Sequence, residues 1–186
     1  MDTNDLLNKL EEMSKDNFQK LFDRANEAEV VFFNCGQCVL VPFIEYLGFD
    51  PLLFKAGSGL AGGIGMKGDA CGAYNGGAIL IGTLVGRSFD DLQGDIEEGK
   101  NKYREACRLV QELREKFIKE YVGVNCKEVQ TCIFGRSYDM TDAEVDYPAF
   151  CDAGAHTSEK CPTVIGNAAR MIAQVMFDHL QAKKDV

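Results

Sequence analysis

"GSGLAGGIGMKGDACGAYNGG", residues 57–77, holds nine of the chain's 19 glycines. Its first six residues match GxGxxG. A dinucleotide-binding turn of that pattern needs a preceding strand and a βαβ unit. The segment before it, "DPLLFKA", reads as a short helix started by Asp50-Pro51. No acidic residue follows at the end of a second strand. The Lys-Ser/Thr pair of a phosphate loop is missing too. The glycines therefore read as a tightly packed loop, with Met66 and Lys67 as candidate contacts for a partner or an anion. Gly72, Gly76, Gly77, Gly82 and Gly86 continue at helical spacing, so a helix is expected whose small face approaches another backbone or a cofactor closely.

Outward from this centre the pattern is helical. Leu6, Leu7, Leu10, Met13, Leu21, Phe22 and Ala25 follow a 3.6-residue period, so the N-terminal segment 1–28 is expected to be one amphipathic helix over 4–28. Asn34 is a good N-cap for a helix to Leu47, and Gly48 a good stop. Tyr103, Cys107, Val110, Leu113, Phe117 and Tyr121 mark the stripe of a long helix, introduced by the acidic stretch 90–98. A short helix is expected at 126–134, an irregular polar insertion at 135–160, and a last helix from Cys161-Pro162. That helix carries Val164, Ile165, Ala168, Ala169, Ile172, Val175, Met176 and Leu180 on one face. No sustained alternation marks a strand. The expected fold is all-α: one compact multi-helix bundle over 1–186 with a central glycine-rich loop.

Composition narrows the function. With 186 residues, 46% hydrophobic, the chain has room for a core without disulfide staples. A net charge of −9 argues against nucleic acid or an anionic membrane as partner. "GGAILIGTLVG", residues 76–86, is too short to span a bilayer, and the acidic N-terminal stretch does not resemble a targeting segment. The expected location is the cytoplasm, where eight cysteines point to metal binding or redox work.

Cys35, Cys71 and Cys161 fall at expected helix starts, and Cys126, after Asn125, is a fourth. Helix N-termini offer free N–H groups and the positive end of the macrodipole, which stabilise thiolates and anionic clusters. Four thiolates make up the ligand set of an iron–sulfur cluster. The pair Cys35-Gly36-Gln37-Cys38 also reads as a metal-free dithiol, half of a zinc site, or two small packed residues. Cys107 reads as a core residue. His156, in "CDAGAHTSEKC", is a candidate ligand, and His179 an edge residue of the last helix. Cys132 and Cys151 fit no known zinc spacing.

"CGAYNG", residues 71–76, resembles the CGAxxG motif of the redox-active C_GCAxxG_C_C family. "NCGQCVLVPFIEYLGFD" is similar to that family's first cysteine segment, "KFIKEYVGVNCKEV" to its third and "KCPTVIGNAARMI" to its fourth. The resemblance covers about residues 18–178. It implies Cys35, Cys71, Cys126 and Cys161 as the family cysteines. Gly72, Ala73 and Gly76 complete the motif and let the backbone approach a cofactor or a facing helix. Cys38, Cys107, Cys132 and Cys151 are additions to the pattern, and the 135–160 segment is longer than it. Family members resemble the non-haem part of split-Soret cytochromes, which implies an iron–sulfur cluster. No haem-attachment motif is present here.

Three functions are therefore in play. One is electron transfer or redox sensing through an iron–sulfur cluster, with an unknown redox partner protein. The second is thiol–disulfide chemistry at Cys35 and Cys38. The third is a zinc-stabilised or metal-free interaction module. Glycine-faced helices also allow symmetric packing into a homodimer.

Overall fold

A computed structural model describes residues 2–184. In chain order the helices are α1 (Thr3–Ser14), α2 (Gln19–Phe32), α3 (Cys35–Cys38), α4 (Val41–Leu47), α5 (Leu52–Ala56), α6 (Gly72–Val85), α7 (Ile96–Tyr121), α8 (Cys126–Phe134), α9 (Asp146–Asp152) and α10 (Cys161–Lys184), with short 3₁₀ turns at Gly57–Leu60 and Asp90–Leu92. There is no strand among the described residues, only an isolated antiparallel bridge between Ala70 and Asn125. The expected all-α single domain is what the chain forms.

α10 is the axis. Val164, Ile165, Ala168, Ala169, Ile172, Val175, Met176 and Leu180 are all buried, as their spacing requires. The helix packs along α2 and touches α1, α6 and α7. Each fully buried aliphatic side chain on such a face contributes about 1.5–3 kcal/mol. α6 fills the centre between α3, α7 and α10. Its glycine face is used inside the molecule: a Cβ on Gly76 would meet Val39, and one on Gly77 would lie 2.7 Å from Leu113 and 2.8 Å from Ile172. The most apolar helix is thus a core helix. Among the described residues no helix is long and apolar enough to cross a membrane.

Five sequence expectations change. Residues 4–28 are not one helix, because Asn17 and Phe18 take left-handed backbone (φ 57° and 54°) between α1 and α2. Asn tolerates that conformation. Phe18 adopts it while only 1% exposed, edge-on to Phe177 at 6.4 Å. Tertiary packing overrides helix continuation there. The expected helix from Cys35 to Leu47 is divided into α3 and α4 near Pro42, which has no N–H to donate. The 135–160 segment contains α9 and a small core of its own, Tyr138, Phe150 and Ala155, with Phe134 packed on it. Tyr103, placed on the α7 stripe, is 54% exposed. His179, expected at an edge, is buried, with Nδ1 3.2 Å from Glu105.

The glycine loop is a backbone-bonded knot. Gly65 N donates to Gly59 O (2.9 Å), Met66 N to Ala61 O (2.9 Å), Gly68 N to Gly62 O (2.9 Å) and Asp69 N to Gly63 O (3.1 Å). Gly63 has φ 78°, and a Cβ there would sit 2.5 Å from Asp69 O, so only glycine fits. Lys67 Nζ reaches Thr141 Oγ1 at 3.0 Å, tying the loop to the 135–160 segment.

Candidate functional site

Each family-type cysteine sits at a helix beginning. Cys35 opens α3, where the Asn34 side chain accepts from Gln37 N at 3.3 Å. Cys71 is the N-cap of α6. Cys126 opens α8 behind a capping box, with Asn125 N donating to Glu128 Oε2 at 2.9 Å. Cys161 opens α10. The Ala70–Asn125 bridge clamps two of these starts together: Cys71 N donates to Val124 O (2.8 Å) and Cys126 N to Asp69 O (2.6 Å).

The four side chains border one cavity of about 190 Å³. That is far more than the roughly 10–15 Å³ a single water needs. Residues distant in sequence are thereby brought together. The remaining wall is mainly apolar, including Phe33, Met66, Val129, Met140, Phe150 and Val164, with Glu29, Asn34, Gln130, Tyr147 and His156 as polar members. Among the described residues, no group of three or more His, Cys, Asp or Glu side chains is arranged to hold a metal ion.

Gly72 sits against Cys35. A Cβ on it would collide with Cys35 Sγ and lie 2.7 Å from Leu60 O and 2.8 Å from Gly36 N. Ala73 is fully buried, and Gly76 lets α6 lie against Val39 and the Gly36 carbonyl. Gly72 and Gly76 therefore set how closely α6 meets α3. Of these two glycines, Gly72 is the one set against a cavity thiol.

The electrostatics differ from the expectation that helix starts alone would favour thiolates. The neighbouring Cys71 thiol and then burial hold Cys35 well above the ordinary thiol value, while the Gly62 N–H pulls it down. Burial pushes Cys126 up to about 12, with Gln130 Nε2, 3.4 Å from the sulfur, opposing. Burial also holds Cys161 well above normal, with Cys35 adding to the effect. The N–H groups of Cys71 and Cys126 are taken by backbone carbonyls, so they do not point at sulfur. At Cys126 and Cys161 desolvation outweighs the helix ends. A cation is the group that would reverse the balance.

Cys38 faces elsewhere. It is fully buried, is absent from the cavity wall, and donates its thiol to Phe33 O at 2.8 Å. Burial and then Glu29 hold it well above the ordinary thiol range. Cys107 is half-buried on α7, and Cys132 and Cys151 are exposed. All eight cysteines are free thiols.

Two polar groups in the cavity wall have unpaired buried atoms: Glu29 Oε2 and both ring nitrogens of His156. Glu29 was not singled out by sequence, since it reads as an ordinary helix-surface acid on α2. It is 4% exposed, and burial raises its pKa from 4.5 to about 7, with the Cys38 thiol pulling the other way. The folded chain therefore binds a proton here that the unfolded chain has released. Between pH 4.5 and 7 this group makes the metal-free protein less stable as pH rises, by roughly 3 kcal/mol across the window. Glu29→Gln is expected to flatten that part of the pH dependence and to stabilise the chain more at pH 8 than at pH 5. Urea unfolding at the two pH values measures both effects.

A helical bundle whose helix beginnings carry four thiols around one apolar cavity defines a class: a cysteine-lined pocket built from dispersed segments. The chain belongs to the family described as "Putative redox-active protein (C_GCAxxG_C_C)", whose model matches residues 33–175. No curated protein and no solved structure matches the chain.

Proposed function

We propose that this redox-family protein binds an iron–sulfur cluster through Cys35, Cys71, Cys126 and Cys161 and works in electron transfer or redox sensing. The observation that carries the reading is that all four thiols line one apolar cavity. The donor set suits the group, since such clusters take four cysteine thiolates. The cavity is costly for free thiolates, and iron supplies the positive charge that compensates them. The thiols border a cavity of about 190 Å³, room for a centre larger than one ion. When bound, such a cluster supplies one-electron transfer at a potential set by its ligands, hydrogen bonds and burial.

The chain's own part in this is holding and shielding. The apolar wall limits water at the centre, and Gly62 N–H and Gln130 Nε2 supply hydrogen bonds to the cysteine sulfurs. The dithiol alternative has less support. The attacking thiol of a dithiol must be accessible and readily ionised, whereas Cys35 is held well above the ordinary thiol value, and Cys38 is directed at Phe33 O.

Anaerobic reconstitution with iron and sulfide tests the proposal. A visible charge-transfer spectrum with stoichiometric iron and acid-labile sulfide is expected. Stoichiometric zinc without sulfide, or no metal at all after reconstitution, would overturn it.

A further inference from the structure

We infer that His156 and Cys161 form an exchangeable ligand pair: His156 can give a ring nitrogen to the metal position that Cys161 serves. This rests on the iron–sulfur reading above.

The imidazole is the largest unexplained polar group in the pocket. It lines the same cavity as the four thiols, and both Nδ1 and Nε2 are buried without a hydrogen-bond partner. Leaving a buried polar atom unsatisfied costs about 1–3 kcal/mol. A ring placed only for packing would meet that cost twice. The ring is also held. Its centroid lies 4.2 Å from that of Phe33 and 5.6 Å from that of Phe150, at interplanar angles of 53° and 88°. Burial lowers the imidazole pKa, which favours the neutral form that binds metal.

Cys161 is the partner because it stands at the helix start that closes the short loop carrying His156. Cys161 N donates to Ala155 O at 3.2 Å, closing the segment that carries His156. Thr157 N to Gly154 O (2.9 Å) and Lys160 N to Thr157 O (3.1 Å) keep it compact. Cys35, Cys71 and Cys126 stand on other segments, and the last two are clamped to each other. An exchange of Cys161 for His156 therefore needs movement in this loop alone. Cluster irons accept imidazole in place of thiolate, and the exchange raises the potential.

The test uses full-length Cys161→Ala, with Cys161→Ser as a second variant in case alanine impairs folding. Both are reconstituted anaerobically beside wild type. The cluster is expected to assemble on the variant at near wild-type iron and sulfide content, with a higher midpoint potential. Pulsed EPR of the reduced state should show a strongly coupled nitrogen that ¹⁵N-histidine labelling shifts. Cys161→Ala/His156→Ala is expected to lose the cluster. Two results would overturn the pair: loss of the cluster in both single variants, or retention without a histidine nitrogen coupling. If wild type itself takes up no iron and sulfide, the underlying cluster reading fails instead, and the two failures are distinguishable.

Discussion

Serine at Cys35, Cys71 or Cys126 is expected to cut iron and sulfide retention by roughly tenfold or more, while Cys38→Ser leaves it near wild type. Changes in the outer shell of a metal site already cost about 10–100-fold in affinity, and removing a ligand costs at least as much. The contrast with Cys38 is the informative part. Cys35 and Cys38 are one helical turn apart in α3, yet one borders the cavity and the other hydrogen-bonds to Phe33 O behind it. A working metal-free dithiol would give no iron or sulfide retention in any of these proteins, wild type included. Iron and sulfide assays after gel filtration, with circular dichroism as a folding control, decide between the two.

Gly72→Ala is the second large effect. Its Cβ would press on Cys35 Sγ and on two backbone atoms, Leu60 O and Gly36 N, which cannot rotate away. Overpacking of this kind costs about 1–3 kcal/mol. In a chain of this size that is a fall in Tm of roughly 2–12 °C. Because the collision displaces Cys35 as well as α3, cluster retention should fall with stability. Gly82→Ala on the same helix is the control. Nothing lies within 4 Å of its added Cβ, so the usual helical gain of about 0.5–1 kcal/mol is expected. Thermal unfolding of the two variants checks both signs. Equal behaviour would show that α6 does not approach α3 through Gly72.

What could be read in the sequence follows from how local each signal is. Caps and breakers are local, so Asn34, Gly48, Asp50-Pro51, Asn125 and the starts at Cys71 and Cys161 were legible, as was the apolar face of α10. The break at Asn17-Phe18 was not. The apolar period runs through it, and it depends on Phe18 meeting Phe177 from the far end of the chain. The aromatic core of Tyr138 and Phe150 has no period to detect. For the site, cysteine positions were legible from caps and family pattern. Glu29 was not, because an acid on an amphipathic helix carries no mark of burial. Nor was the rise in thiol pKa, since desolvation depends on walls contributed by α2, α8 and α9. His156 stood out only for its neighbours in sequence, and its two unpaired nitrogens are a property of the folded pocket.

The placing of the cysteines also has a temporal consequence. The pocket's thiols run from residue 35 to residue 161, so the wall closes only when α10 docks along α2. On a ribosome the first three thiols emerge well before the fourth. Bringing such distant segments together carries the entropy of closing a long loop and is slow relative to helix formation. The complete four-thiol pocket therefore exists only in the finished fold, after α10 has docked.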